Sequence, residues 1–210
     1  MDEVTPDSAE TRHLLEQVRA GNRVAFEQLF GQFRADLCRF VELRLDPKLR
    51  PRVDASDVVQ ETQLEVFQRL ADYLERRPMP FRLWLRKTAC ERLEKVRRRH
   101  VETLRRTVER EVPLPDQSSL LIAEKVLAEG STPSQQLSRK ELVPRLRRAL
   151  AQLPDADREV LLLRTVEGLS YKEVGYLLGI EPAAARKRQA RALVRLHHIL
   201  FEGGLTESPL

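Results

Sequence analysis

Two cysteines, one tryptophan and 5 % aromatic residues are a thin supply for a chain of 210 residues. Cys38 and Cys90 stand far apart, and neither has a second Cys or a His near it at metal-ligand spacing. That spacing excludes a disulfide framework and a zinc motif, and it implies a reducing interior. No stretch approaches the ~20 apolar residues that cross a bilayer. Met1 to Glu10 is acidic and lacks the apolar run of a secretion leader. The expectation from these absences is a soluble, cytoplasmic protein. Internal repeats, low-complexity tracts and a clear coiled-coil heptad are missing as well.

What the chain has in quantity is charge. Charged residues make up 33 % and hydrophobic ones 41 %, a balance that suits long amphipathic helices, so the fold class expected is all-α. Lys plus Arg number 37 against 32 Asp plus Glu, a formal net charge of +5. The excess is small, but it is concentrated. Lys95, Arg97, Arg98, Arg99, Arg105, Arg106 and Arg110 form one basic stretch; Arg186, Lys187, Arg188, Arg191 and Arg195 form another. Two separated basic elements point to two contacts with nucleic acid.

Apolar spacing divides the chain into two helical domains. Leu14, Leu15 and Val18 share one face, and Phe26, Leu29, Phe30, Phe33, Leu37, Phe40 and Val41 follow at three- and four-residue steps, with Gly21-Asn22 as stop and new cap. Asp46-Pro47 and Pro51 break the pattern before a helix that opens near Asp54. After a loop at Arg76-Arg77-Pro78-Met79-Pro80, the residues Phe81, Trp84, Leu85, Ala89 and Leu93 restart an apolar face that runs into the first basic stretch. From Val101 to Gln136 the pattern loosens around Pro113, Pro115 and Pro133, which reads as a linker with some local helix. Regular spacing returns from Leu137 to Leu200, and Gly203-Gly204 opens a short tail.

The most informative segment is Ser170 to Leu196. Ser170-Tyr171-Lys172-Glu173 has the form of a capping box, so a helix begins there. Val174, Leu177 and Leu178 give it a buried face, Gly179 suits a left-handed helix end, and Pro182 suits the first turn of the next helix. In that second helix Ala185, Ala192, Leu193 and Leu196 are expected to pack inward, which leaves Arg186, Lys187, Arg188 and Arg191 outward for a major groove. A merely solvated face is the competing account, but such faces usually mix signs. The run from Arg186 to Arg195 does not mix them.

Here a resemblance becomes plain. Leu153-Pro154-Asp155-Ala156-Asp157-Arg158-Glu159-Val160-Leu161-Leu162-Leu163-Arg164, followed by Glu167-Gly168-Leu169-Ser170-Tyr171-Lys172-Glu173-Val174, resembles the fourth conserved region of the sigma-70 family, especially its extracytoplasmic-function group. In that family this domain reads the upstream promoter element. The string Asp54-Ala55-Ser56-Asp57-Val58-Val59-Gln60-Glu61-Thr62 is similar to the family's second region, which docks on the beta-prime clamp of core RNA polymerase. From the residues alone it reads as ordinary capping, with carboxylates in a first turn, above a core stripe of Val58, Val59, Val66, Phe67 and Leu70. The resemblance makes Asp54, Asp57, Gln60 and Glu61 core-polymerase-binding residues. It covers about residues 12 to 100 and 137 to 200.

By the same resemblance the helix from Phe81 to His100 opens the strands and reads the start-proximal element, with Trp84, Arg97, Arg98 and Arg99 as DNA-contacting candidates. From the residues alone Trp84 reads as a core aromatic and the arginines as phosphate contacts. Glu91 stands where the family usually has Asn, and Lys95 where it often has Asp, so base recognition there is expected to differ. In the second basic helix Ala183-Ala184-Ala185-Arg186-Lys187-Arg188 replaces the commoner Gly-Thr-Val-Lys-Ser-Arg, so the promoter motif is not inherited.

The expected organisation is therefore a disordered N-terminus at 1–11, a region-2-like domain at 12–100, a linker at 101–136, a region-4-like helix-turn-helix domain at 137–200 and a tail at 201–210. The resemblance implies core polymerase (beta-prime clamp and beta flap) and promoter DNA as partners, an anti-sigma factor as a family-level expectation, and no cofactor. A free-standing helix-turn-helix regulator explains the C-terminal half equally well but leaves the N-terminal half without a role. An enzyme acting on nucleic acid would need Asp54, Asp57 and Glu61 as metal carboxylates, and no His, Lys or Tyr lies close in sequence to complete a reaction centre. His197 and His198 are adjacent on a helix and point different ways.

Overall fold

A computed structural model describes residues 3–45, 49–104, 119, 121–123, 125 and 136–202. The described residues are helical with turns between, and they divide into two compact units, Val4–Pro115 and Asp116–Leu210. The basic residues Arg105, Arg106 and Arg110 and the tail from 203 lie outside the described residues. Of the stretch expected to be a linker, Ser119, Ile122 and Ala123 are buried.

Among the described residues of the N-terminal unit four helices follow one another: α1 (Ala9–Arg19), α2 (Arg23–Glu42), α3 (Ala55–Arg76) and α4 (Phe81–Leu104). Short polar side chains start three of them. Ser8 accepts from Thr11 N, Asn22 from Val24 and Ala25 N, and Asp54 from Ser56 N, which satisfies amides that the first turn leaves without partners. Helix α2 packs against α1, α3 and α4, and α3 packs on α4. The core between them holds Leu15, Leu29, Phe30, Phe40, Val59, Val66, Phe81 and Leu85.

Around the start of α4 the aromatics gather. Trp84 stacks on Tyr73 with centroids 4.3 Å apart, Phe81 lies edge-on to Tyr73 at 5.6 Å, and Phe33 meets Phe81 at 5.7 Å. The Tyr73 hydroxyl donates to the Met79 carbonyl at 3.0 Å. The segment before α1, expected to be disordered, is tied to this cluster instead. Both Asp7 carboxylate oxygens accept from Phe81 N, at 2.9 and 3.1 Å. The first amide of α4 is thus capped by a residue 74 positions away in sequence, a contact that no local pattern announces.

The C-terminal unit holds α5 (Gln136–Ala151), α6 (Asp155–Leu161) running on into a π-helical turn at Leu162–Val166, α7 (Tyr171–Leu178) and α8 (Pro182–Glu202). Helices α5, α6 and α7 all pack on α8. Leu150, Val160, Leu161, Leu163, Val174, Ala185 and Ala192 form the dry centre. Two glycines make the sharp corner between α7 and α8. Gly179 ends α7 in the left-handed region at φ 64°. Gly175 admits the returning chain so closely that a Cβ there would stand 2.6 Å from the Ile180 carbonyl oxygen.

Candidate nucleic-acid interface

The capping box that opens α7 is complete. Glu173 N donates to the Ser170 hydroxyl oxygen at 3.2 Å, and Ser170 N donates to the Glu173 carboxylate at 2.8 Å. Both side chains are buried, so the box is part of the core as well as a helix start. Gly179 turns the chain, Pro182 begins α8, and Ala185, Ala192 and Leu196 face inward as expected. Leu193 departs from expectation, with 44 % of its surface exposed. The inward stripe of α8 is narrow, and Leu193 falls one step of 100° beyond Ala192.

Arg186, Lys187 and Arg191 are exposed on α8, and Arg188 is half-buried. Arg195, grouped with them by sequence, is engaged within the fold: its guanidinium donates to the carboxylate of Asp157 on α6, a buried residue. Arg195 thus compensates a buried charge, and the outward basic set ends at Arg191. Tyr171, at the first position of α7, lies against this helix. Its hydroxyl donates to Gln189 Oε1 at 2.7 Å, and the guanidinium carbons of Arg164 and Arg186 lie 4.2 and 5.2 Å from its ring centroid.

On the N-terminal unit, Asp57 and Gln60 are exposed on the first turns of α3, and Asp54 is occupied as its N-cap. Glu61 is less available. Its carboxylate lies 3.1 Å from Arg92 Nε on α4, a charge contact off the hydrogen-bond line. Phe67 is 49 % exposed although it meets Phe26 edge-on at 5.1 Å, so it lies at the margin of the core stripe in which it was expected. Leu64 is exposed on the same side of α3.

Trp84 requires a correction. Only 6 % of its surface is exposed and its ring is stacked on Tyr73, so the indole has no open face for a base and leaves the DNA-contacting set. Arg97, Arg98 and Arg99 are exposed on the outer part of α4, with Glu94 taking hydrogen bonds from Arg97 and Arg98 at 3.1 Å each. Those two guanidinium groups hold the Glu94 carboxyl below its ordinary range.

The two departures from the family pattern on α4 are explained by partners on α3. Glu91 receives Arg69 at 2.9 Å, and Lys95 reaches Glu65 at 3.1 Å. With Arg92 between Glu61 and Glu65, these side chains form one alternating lattice across the two helices. Such surface pairs contribute at most about 1 kcal/mol each, but together they set which charges α4 presents. No pattern within a single helix reveals the lattice, because every pair but the one from Arg69 to Glu65 crosses from α3 to α4. Its signal was the acid, acid, base run at 61, 65 and 69 facing acid, base, base at 91, 92 and 95.

Asp54, Asp57 and Glu61 do not gather as metal ligands, since one caps a helix and another is paired with arginine. Among the described residues no group of three or more His, Cys, Asp or Glu side chains is placed to hold a metal ion. The rings of His197 and His198 stand 6.4 Å apart and nearly perpendicular. No described helix is long and apolar enough to cross a membrane.

An all-helical chain of two units, one ending in a helix-turn-helix with a basic second helix, belongs to the class of DNA-binding transcription proteins. Comparison with known proteins sharpens this. The family described as "Sigma-70, region 4" matches residues 144–196. The RNA polymerase sigma factor CnrH of Cupriavidus metallidurans is 27 % identical over 197 residues, covering 94 % of this chain and 97 % of that one. The ECF sigma factor SigD of Mycobacterium tuberculosis is 29 % identical over 185 residues, covering 88 % of this chain and 81 % of that one. A solved structure of CnrH in complex with the cytosolic domain of CnrY shares the fold, with a TM-score of 0.56 and 24 % identity over 93 % of this chain and 99 % of that one. The chain belongs to the sigma-70 family, in its extracytoplasmic-function group. The free-standing regulator is not favoured, because the similarity runs through both units.

Proposed function

We propose that this chain directs core RNA polymerase to promoters, with the docking and the DNA contacts divided between its units. Residues 12–100 act as the region-2 domain: Asp57 and Gln60, with Asp54 and Glu61 beside them, meet the beta-prime clamp, while Arg97, Arg98 and Arg99 grip phosphates near the start site. Residues 137–200 act as the region-4 domain, with Arg186, Lys187, Arg188 and Arg191 in the major groove of the upstream element and a further contact to the beta flap. Residues 101–136 link the two. The function is not enzymatic, since bond formation belongs to the polymerase, and the site of action is the cytoplasm. An anti-sigma factor that covers these faces is the expected regulator; CnrH, the relative described above, is held by the cytosolic domain of CnrY.

The observation that carries this reading is the pairing of two exposed faces on one chain of this family: a carboxylate and amide face on α3, and an acid-free basic face on α8. The test is binding to purified core polymerase by fluorescence anisotropy of the labelled full chain. Asp57→Arg with Gln60→Arg reverses or adds charge at two exposed positions, and it avoids Glu61, whose loss would remove the nearer of the two carboxylates beside Arg92. Binding should weaken at least ten-fold with unchanged thermal unfolding. Binding equal to that of the unaltered chain would remove α3 as the docking face.

A further inference from the structure

Gln189 occupies an unexpected place on α8. It lies four residues after Ala185 and three before Ala192, both fully buried, so helical geometry sets it on the stripe that faces the rest of the unit. An apolar side chain would be ordinary there. Instead the amide is half-buried and its carbonyl oxygen accepts from the Tyr171 hydroxyl at 2.7 Å. Arg186, one turn earlier, has its guanidinium carbon 5.2 Å from the centroid of the same ring. Arg164 lies over that ring at 4.2 Å and also donates to the carbonyl of Leu169, two residues before Tyr171.

Tyr171 is therefore a junction. Its backbone follows Ser170, whose capping box is buried and fixed at both hydrogen bonds, so the ring stands on one of the more rigid points of the unit. From there it touches the π-helical turn through Arg164 and α8 through Gln189 and Arg186. We propose that Tyr171 is a positioning residue for promoter recognition: its hydroxyl, through Gln189, sets the roll of α8, and its ring pre-orders Arg186. The inference rests on the reading of α8 as the groove helix. A guanidinium held over a ring loses less side-chain freedom on meeting DNA than one swinging free. A helix whose roll is pinned presents the same edge at every encounter, whereas a small rotation exchanges which side chains reach the bases.

The test uses the full chain with core polymerase and a pool of promoters randomised in the upstream element, read as transcripts from each sequence. Tyr171→Phe keeps the ring over which Arg186 lies and removes only the hydroxyl; Gln189→Met keeps length and removes the acceptor. Each variant should lower initiation about five-fold, the factor one ordinary hydrogen bond represents. Both should shift base preference at the same upstream positions, and the double variant should do no worse than either single one. Lowered melting temperatures with base preferences unmoved would mean that the bond only holds the unit together, and would overturn the proposal. Arg186→Ala and Arg191→Ala are measured alongside. If these also leave initiation unchanged, the groove-helix reading fails and the positioning role with it. If they abolish initiation while the Tyr171 and Gln189 variants match the unaltered chain, the positioning role alone is wrong.

Discussion

Trp84 shows how a single residue's burial decides its role. Its position in the family pattern suggested DNA, and its place on an apolar face suggested core. Stacking on Tyr73 with 6 % exposure settles it as core. Replacing it by Ala should cost about 3–5 kcal/mol, a large part of the net stability of a domain this size. Trp84→Phe, which keeps most of the apolar contact, should retain initiation once the protein is folded. Thermal unfolding and run-off transcription on the two variants check this, and a stable Trp84→Phe protein unable to open promoters would contradict it.

Asp7 is a second such residue, with a pH signature. Burial raises its carboxyl above the ordinary value despite the Phe81 amide and the arginines near it, which pull the other way. The folded state thus holds this proton more tightly than the unfolded chain does. The resulting stabilisation is full below the unfolded value of 3.8 and is lost as pH rises through the higher folded value. Urea unfolding of the protein and of Asp7→Asn between about pH 3 and pH 7 should show the unaltered chain gaining on the variant as pH falls. A difference that is flat or of opposite slope would contradict it.

At the scale of elements, α7, its turn and α8 were legible almost in full, because each signal is local: Ser170 with Glu173, then Gly179, then Pro182. Gly175 carries no such local signal, because its reason is a carbonyl from the next turn. Periodicity placed Leu193 and Phe67 inward because it gives the direction of a face and not its width. The α3 to α4 lattice, the Asp7 cap and the Arg195 to Asp157 pair all join residues distant in sequence, where a one-dimensional reading is blind. Arg195 also yields a test on α8. Arg191→Ala should make the salt dependence of promoter binding shallower, by about 0.9 in the slope of log K against log salt. Arg195→Ala should leave that slope in place and lower the melting temperature, since Asp157 is left buried without its cation. Equal slopes for Arg191→Ala and the unaltered chain would remove Arg191 from the phosphate contacts.

For the whole molecule, the function proposed above makes the two helical units, with their different surfaces, a bridge between a protein partner and DNA. Asp57 and Gln60 face outward on one unit. Arg186, Lys187 and Arg191 face outward on the other. Among the described residues no group of three or more His, Cys, Asp or Glu side chains is placed to hold a metal ion, and the predicted activity exists only when core polymerase and promoter are both present. Run-off transcription by purified core polymerase on a genomic promoter library, with and without this chain, is the most direct test. Initiation that depends on the chain, clusters at a common upstream and start-proximal motif, and is lost with Asp57→Arg plus Gln60→Arg is the predicted result. Tight, sequence-specific DNA binding without polymerase, and no initiation with it, would contradict the account.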